Sequence, residues 1–398
     1  IYQPGILTFI DRSDLMDKSL TPTHIDIYMK AQERGLLSLK TGTDLGNFEG
    51  SAYGNASLRN TFGGAESFNL NISRGTRTRS AYQATFDCPI LSDPDKQLSI
   101  DCLASSTLKP WASHEEVNKG GGASYSWVSK NGARHKVGYR GVWRQVTGLS
   151  SEASPTIRHE AGDSAKSSIT HTWVLDRLDN SLMPTHGFSV KCISEIAGWG
   201  PLQGDVAFCK SEVESTFAFP IQTPGSKGSS GVSFTSGLRA GLLYPLPLGV
   251  GGEARPSRIN DRFQLGGPTD VRGFKLSGLG PRDGYDSVGG DIYAAASANL
   301  LFPVPRIGKL KPLRFQIFAN AGRLLALSEE SVKVDKGKIN SQRNFLATFA
   351  KLGDGLPSLA AGVGFVYAHP IARFELNFCL PLILRKGEEG RKGIQLGV

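Results

Sequence analysis

The chain has 398 residues, 39% of them apolar, with 48 glycines and a formal net charge of +9. No apolar run approaches the roughly 18 residues of a transmembrane helix, the longest candidate being FCLPLIL at 378–384. Five widely spaced cysteines argue for reduced thiols rather than a disulfide framework, seven scattered histidines show no metal-ligand spacing, and no basic block with interleaved aromatics offers a nucleic-acid surface.

The excess of positive charge points to anionic partners, lipid head groups among them. The first residue is Ile, so the chain reads as a fragment or a processed form. Residues 1–35 differ in texture from the rest: SLTPTHIDIYMKAQER combines a turn, a short alternating run and several charges, as in the last piece of a small α+β domain. From residue 36 onward, alternating runs and short turns predominate. They predict strands at 36–47, 49–62, 66–75, 79–88, 97–108, 120–130, 134–147, 165–178, 187–198, 204–219, 231–245, 290–303, 312–323, 357–369, 371–384 and 391–398. In 66–75, Phe68, Leu70 and Ile72 oppose Asn69, Asn71 and Ser73. In 134–147, Val137, Tyr139 and Trp143 oppose Lys136, Arg140 and Arg144. In 371–384, Phe374, Leu376, Phe378, Leu380 and Leu382 share one face, with Arg373, Glu375 and Asn377 on the other.

Many of these runs reach ten residues, where ordinary strands average five or six and membrane-crossing strands need about 9–11. An even number of such strands closes into an antiparallel barrel, which pairs every backbone polar group and removes the sheet edges. The expected fold is therefore all-β, a 16-stranded antiparallel transmembrane barrel over 36–398. A soluble all-β binding protein would share the alternation but not the strand length. A barrel this wide cannot be filled by its own wall, and the long 246–289 connection is the expected plug. A second insertion, 324–355, is more charged and is expected to project outward or form a lid. Lys136, Arg140 and Arg144 form a positive stripe on the expected interior.

Within the long connection stands LGGPTDVRGF, 265–274. Val271, Arg272, Gly273 and Phe274 resemble the Val/Ile-Arg-Gly-Phe/Tyr loop motif of the outer-membrane β-barrel assembly superfamily. As in that family, they lie between the eleventh and twelfth strands. The closing RKGIQLGV, with Gly393, Leu396 and Val398, is similar to the terminal β-signal of mitochondrial outer-membrane barrels. The runs at 39–71 and 73–90 resemble the mitochondrial branch, the central barrel of the sorting and assembly machinery, in a fungal form. Residues 1–35 resemble the C-terminal remnant and linker of that branch's polypeptide-transport-associated (POTRA) domain, with HIDIYMKAQER as its closing strand.

The resemblance implies a membrane insertase of the mitochondrial outer membrane, without enzymatic activity or cofactor, whose loop arginine is braced against the inner wall. Bacterial members carry an acidic residue where this chain has Asn320, so Glu375 and a backbone carbonyl are the further candidates to hold Arg272. It also implies a lateral gate between the first and last strands, with Thr41, Gly42, Asp44 and Gly46 on one side and Gly393, Gln395, Leu396 and Val398 on the other. Partners would be β-barrel precursors bound through their β-signal, peripheral subunits on the cytosolic face, membrane lipids, and a second barrel copy or client barrel beside the gate. Neither nucleic acid nor metal is implied. No G-x-S-x-G elbow or phosphate loop is present, and the glycines at 266–273 precede no recognisable helix. The other readings are a passive outer-membrane pore and a plastid-type protein-import channel.

Overall fold

A computed structural model describes residues 7–10, 31–33, 35–46, 49–91, 93–222, 231–249, 254–304, 312–327, 348–369 and 372–397. Sixteen strands form a single sheet in which every hydrogen-bonded neighbour is also the neighbour in sequence, and every pair is antiparallel. They are β1 (Leu37–Gly46), β2 (Glu49–Arg59), β3 (Ser67–Gly75), β4 (Thr78–Ile90), β5 (Asp93–Lys109), β6 (His114–Val128), β7 (Arg134–Thr147) and β8 (Gly162–Asp176). There follow β9 (Gly187–Ala197), β10 (Phe208–Ile221), β11 (Val232–Pro245), β12 (Ile292–Pro303), β13 (Leu313–Leu325), β14 (Ser358–Ala368), β15 (Arg373–Ile383) and β16 (Gly393–Gly397). The edges of the sheet are β1 and β16, with no pairing between them among the described residues.

All sixteen predicted strands are present. The largest shifts lie in β6, which starts at His114 rather than 120, and in β5 and β10, which start four residues before the expected 97 and four after the expected 204. Gly120, Gly121 and Gly122 read as strand-opening residues, yet they stand mid-strand. A Cβ on Gly120 would lie 2.3 Å from the Gly141 carbonyl oxygen and one on Gly122 would lie 2.6 Å from that of Tyr139. The triplet is thus where β7 crosses β6 too closely for side chains.

The period of two gives the sheet its sidedness. Val137, Tyr139, Ile169, Val213, Leu238, Ile317, Val363, Leu376, Phe378 and Leu382 are all exposed on one face. Ser124, Arg144, Ser168, Thr235, Asn299, Gln316, Asn320 and Asn377 are buried on the other. The polar face is covered by the connection between β11 and β12. Its residues 254–291 touch Arg144 on β7, Lys166 on β8, Lys210 on β10, Arg239 on β11 and Glu375 on β15. A segment that short reaches strands so far apart in the order only because the sheet curls around it.

The 148–161 connection carries one short helix, α1 (Pro155–His159), whose first turn takes up the tip of the long connection. Asp286 accepts from the Ser154 amide at 2.7 Å, and Asp283 accepts from the Thr156 hydroxyl at 2.7 Å. Those hydrogen bonds hold Asp283 below the usual carboxylate range. Beneath them Ala112, Ala153, Ile157, Ile259 and Val288 form a small apolar cluster.

Leu7–Ile10 pairs antiparallel with Ala31–Glu33 as a separate two-stranded sheet. The remainder of the expected closing strand at 24–34, residues 328–347 of the charged insertion, and Val398 lie outside the described residues.

Candidate functional site

The site is the inner connection together with the strands that grip it. Val271 and Phe274 are fully buried in an apolar cluster with Phe263, Leu265, Leu279, Leu324 and Ala360. Between them Gly273 has φ +89°, and a Cβ there would lie 2.5 Å from that of Ala360. Only glycine meets both demands.

Arg272 points away from the apolar cluster and forks onto Glu375, with Nε to Oε2 at 2.9 Å and Nη2 to Oε1 at 3.2 Å. Its Nη1 donates to Asn299 Oδ1 at 2.8 Å, and the guanidinium lies 4.7 Å above the Phe318 ring. The Asn320 amide is satisfied when its oxygen accepts from the Arg272 backbone N–H and its nitrogen donates to the Ala319 carbonyl, both at 3.1 Å. The three residues singled out as a loop brace, Arg272, Glu375 and Asn320, are therefore together. Glu375 is further held by Arg373 Nε at 2.8 Å and Asn377 Nδ2 at 2.9 Å. Donors from three residues thus converge on this largely buried carboxylate.

Several grips were not foreseen. Asp261 on the connection meets Arg144 at 2.7 Å and Lys166 at 3.4 Å, and its backbone carbonyl accepts from Lys210 at 2.9 Å. Burial alone would raise the Asp261 carboxyl, but Arg144 and Lys166 outweigh it and hold the group below the ordinary range. Arg144, read from sequence as one of a hydrated stripe, is instead a buried partner of the loop; Arg140 pairs with Asp101 at 2.8 Å. Asp270 ion-pairs with Arg239 and accepts from the Gly266 amide at 2.6 Å.

The last strand is sewn to the same connection. Gln395 is buried, accepts from the Gly273 amide at 3.0 Å and donates to the Phe274 carbonyl at 3.3 Å. The backbone of the β15–β16 turn continues the seam: Lys275 N donates to Glu389 O at 3.0 Å, and Arg391 N donates to Gly273 O at 2.8 Å. Glu389 also pairs with Lys275 at 3.0 Å and Arg282 at 2.8 Å; these bonds outweigh its partial burial and keep it below the usual carboxylate range. Gln395, one of the expected gate residues, is also an anchor of the loop.

The other gate positions fall on the two edges of the sheet. β16 pairs with β15 over five residues, Glu375–Cys379 against Gly393–Gly397, with Leu396 facing outward. Thr41, Gly42, Asp44 and Gly46 pair with Gly54, Tyr53, Ser51 and Glu49 on β2, and among the described residues nothing pairs with the far side of β1. A Cβ on Gly42 would meet the Tyr53 ring at 2.7–2.9 Å, so the tyrosine lies flat across the glycine. Among the described residues no group of three or more His, Cys, Asp or Glu could hold a metal ion.

A sixteen-stranded meander with an arginine-braced inner connection defines a class. The Omp85 superfamily domain matches residues 60–398, and the chain belongs to that superfamily, in its SAM50 branch. The SAM50-like protein of Schizosaccharomyces pombe is 38% identical over 376 residues, covering 94% of this chain and 74% of its own. The human sorting and assembly machinery component 50 homolog is 32% identical over 386 residues, covering 94% of this chain and 75% of its own. Among solved structures, BamA from Haemophilus ducreyi lacking POTRA domains 1–3 superposes with a TM-score of 0.73 at 18% identity, over 98% of this chain and 75% of that one. Membership of this branch makes the chain a β-strand membrane protein of the mitochondrial outer membrane.

Proposed function

We propose that the sheet closes into a barrel with β1 beside β16, and that this seam folds and inserts β-barrel precursors into the mitochondrial outer membrane. The observation that carries the reading is the pair of sheet edges: among the described residues β1 offers a ten-residue strand with one side unpaired, and β16 is five residues long. A precursor strand entering lipid carries N–H and C=O groups that each cost several kcal/mol if unpaired. An available edge supplies partners one residue at a time, and burial of the newcomer's apolar face makes the process downhill.

In this reading Thr41, Gly42, Asp44 and Gly46 present the template edge, and Gly393, Gln395, Leu396 and Val398 form the side that parts from it. Val271, Arg272, Gly273 and Phe274 hold the inner connection, with Glu375, Asn299 and Asn320 as the wall that braces it. Residues 1–35 are the end of a POTRA domain. Peripheral subunits on the cytosolic face and a second or client barrel beside the seam are the expected companions. An inner connection gripped by so many strands suits a scaffold better than an open metabolite pore.

The test places one cysteine at Thr41 and another in the final strand of a barrel precursor. Disulfides should appear during assembly and disappear on its completion. Assembly that proceeds normally with no such cross-link sinks the mechanism.

A further inference from the structure

Much of the outward face of the sheet carries large apolar residues, with stretches of small ones between them. Where β11, β12 and β13 meet, the registered outward pairs are Ala240 with Ala294 and Ala296 with Ala321. Further along β12 and β13 the outward pairs are Leu300 with Ile317 and Phe302 with Phe315. The change from alanine to leucine and phenylalanine leaves a depression in the wall. The residues before β14, which include a helical turn at 348–352, rise beside it, and Leu352 and Pro357 form its side. The resulting groove has a volume of about 670 Å³.

One end of this apolar groove is charged. Arg323, registered with Ala294 on the same outward face, is 7% exposed. Its Nη1 donates to the carbonyls of Leu352 (2.9 Å) and Asp354. Its Nε is buried and has no acceptor among the described residues. Arg385 grips the same turn, Nη2 donating to the Leu356 carbonyl at 2.8 Å, and adds a second positive charge. A buried arginine on an apolar face, with the Asp354 and Glu388 carboxylates nearby, still keeps one donor unused. An apolar trough with one buried guanidinium in its lining matches an acyl chain continuous with a phosphate.

We propose that this groove is a binding site for a single membrane phospholipid: one acyl chain lies along Ala240, Ala294, Ala296 and Ala321, and the head-group phosphate accepts from Arg323 with Arg385 beside it. An anionic head group is preferred, because the unused Arg323 donor makes a charge-assisted bond to it and Arg385 sits on the adjoining turn. The inference rests on the outward face of the sheet meeting lipid.

The test reconstitutes the full chain in nanodiscs of phosphatidylcholine doped with phosphatidic acid bearing a diazirine on its acyl chain, and repeats it with phosphatidylcholine bearing the same label. After photolysis, labelled peptides are mapped by mass spectrometry. The peptides carrying 238–240 and 294–296 should be labelled several-fold more than those carrying 315–317 and 376–380, and more by phosphatidic acid than by phosphatidylcholine. Ala296→Phe, which fills the trough without touching either arginine, should bring groove labelling down to the level of the wall. Arg323→Gln should remove the head-group preference. Equal labelling of groove and wall, or labelling unmoved by Ala296→Phe, overturns the site while leaving the barrel intact. A wall that takes no label anywhere overturns the lipid-facing reading itself.

Discussion

Arg272 and Glu375 face each other across 103 positions of chain in a two-pronged ion pair, and both side chains are only 12% exposed. Breaking such a pair from one side strands a buried charge and costs about 3–5 kcal/mol. Arg272→Met should therefore loosen the inner connection and slow precursor assembly. Arg272→Lys should recover little, because an ammonium cannot fork onto Glu375 while also reaching Asn299. The double variant Arg272→Met with Glu375→Met should regain part of the thermal stability, limited by the loss of the Arg373–Glu375 contact. Unfolding in detergent, followed by heat-dependent gel mobility, ranks the four proteins. An Arg272→Met protein that assembles precursors at the parental rate refutes the bracing role.

Gln395 makes both of its inner bonds to the main chain of the loop motif. Gln395→Leu keeps the size but leaves the Gly273 amide and the Phe274 carbonyl buried without partners, at about 1–3 kcal/mol each. Gln395→Glu keeps the acceptor and loses the donor, and should fall between the two. The expected readout is faster proteolysis within 384–392, whose backbone is stitched to 273–278. Equal protease resistance in all three proteins rules out Gln395 as an anchor.

The acid response should follow Asp261. Its carboxyl is held below the unfolded-state value of about 3.9, so its contribution is complete above that value and is lost as pH falls through the lower folded one. Asp291 works in the opposite sense. Burial raises it, so it weakens the fold as pH rises from the ordinary carboxylate value through its own. Asp261→Asn isolates the first effect. The variant should be less stable than the parent at neutral pH, with the difference shrinking only below about pH 4. A difference that already vanishes between pH 5 and 7 excludes Asp261 as the group responsible.

Gly273→Ala combines a left-handed backbone, costing roughly 1–2 kcal/mol, with a contact of 2.5 Å to the Ala360 Cβ. Gly132 has a similar φ of +77° with open space around it, and Gly132→Ala should show the backbone cost alone. Adding Ala360→Gly to Gly273→Ala removes the collision but not the strain, and should restore about half of the lost melting temperature. No rescue by Ala360→Gly would mean that the two chains move apart at this point.

The wall was legible because a sheet with one apolar and one polar face needs an alternation of two over long runs, and the sequence shows little else. Phe374, Leu376 and Phe378 on one side of Arg373, Glu375 and Asn377 give the sidedness of β15 without further information. The grip on the loop was legible only at Arg272 and Asn320, through the family resemblance, and at Glu375, offered beside them as a further candidate on the polar face of its strand. Asp261 with Arg144, and Gly273 with Gln395, were not, since 117 and 122 positions separate the partners and no local pattern announces them. The glycines at 120–122 misled for a related reason: their meaning lies in the neighbouring strand β7.

The two borders of the sheet are tied down differently. Sewn through Gln395 and residues 389–391 to a connection that is itself riveted to β7, β8, β10 and β15, the final strand shares the rigidity of the whole interior. No hydrogen bond or ion pair of that connection reaches β1 among the described residues. A lateral pull at the seam would therefore be taken up as bending of the β1–β2 hairpin, so that the leading border flexes like a free cantilever while the trailing one stays put.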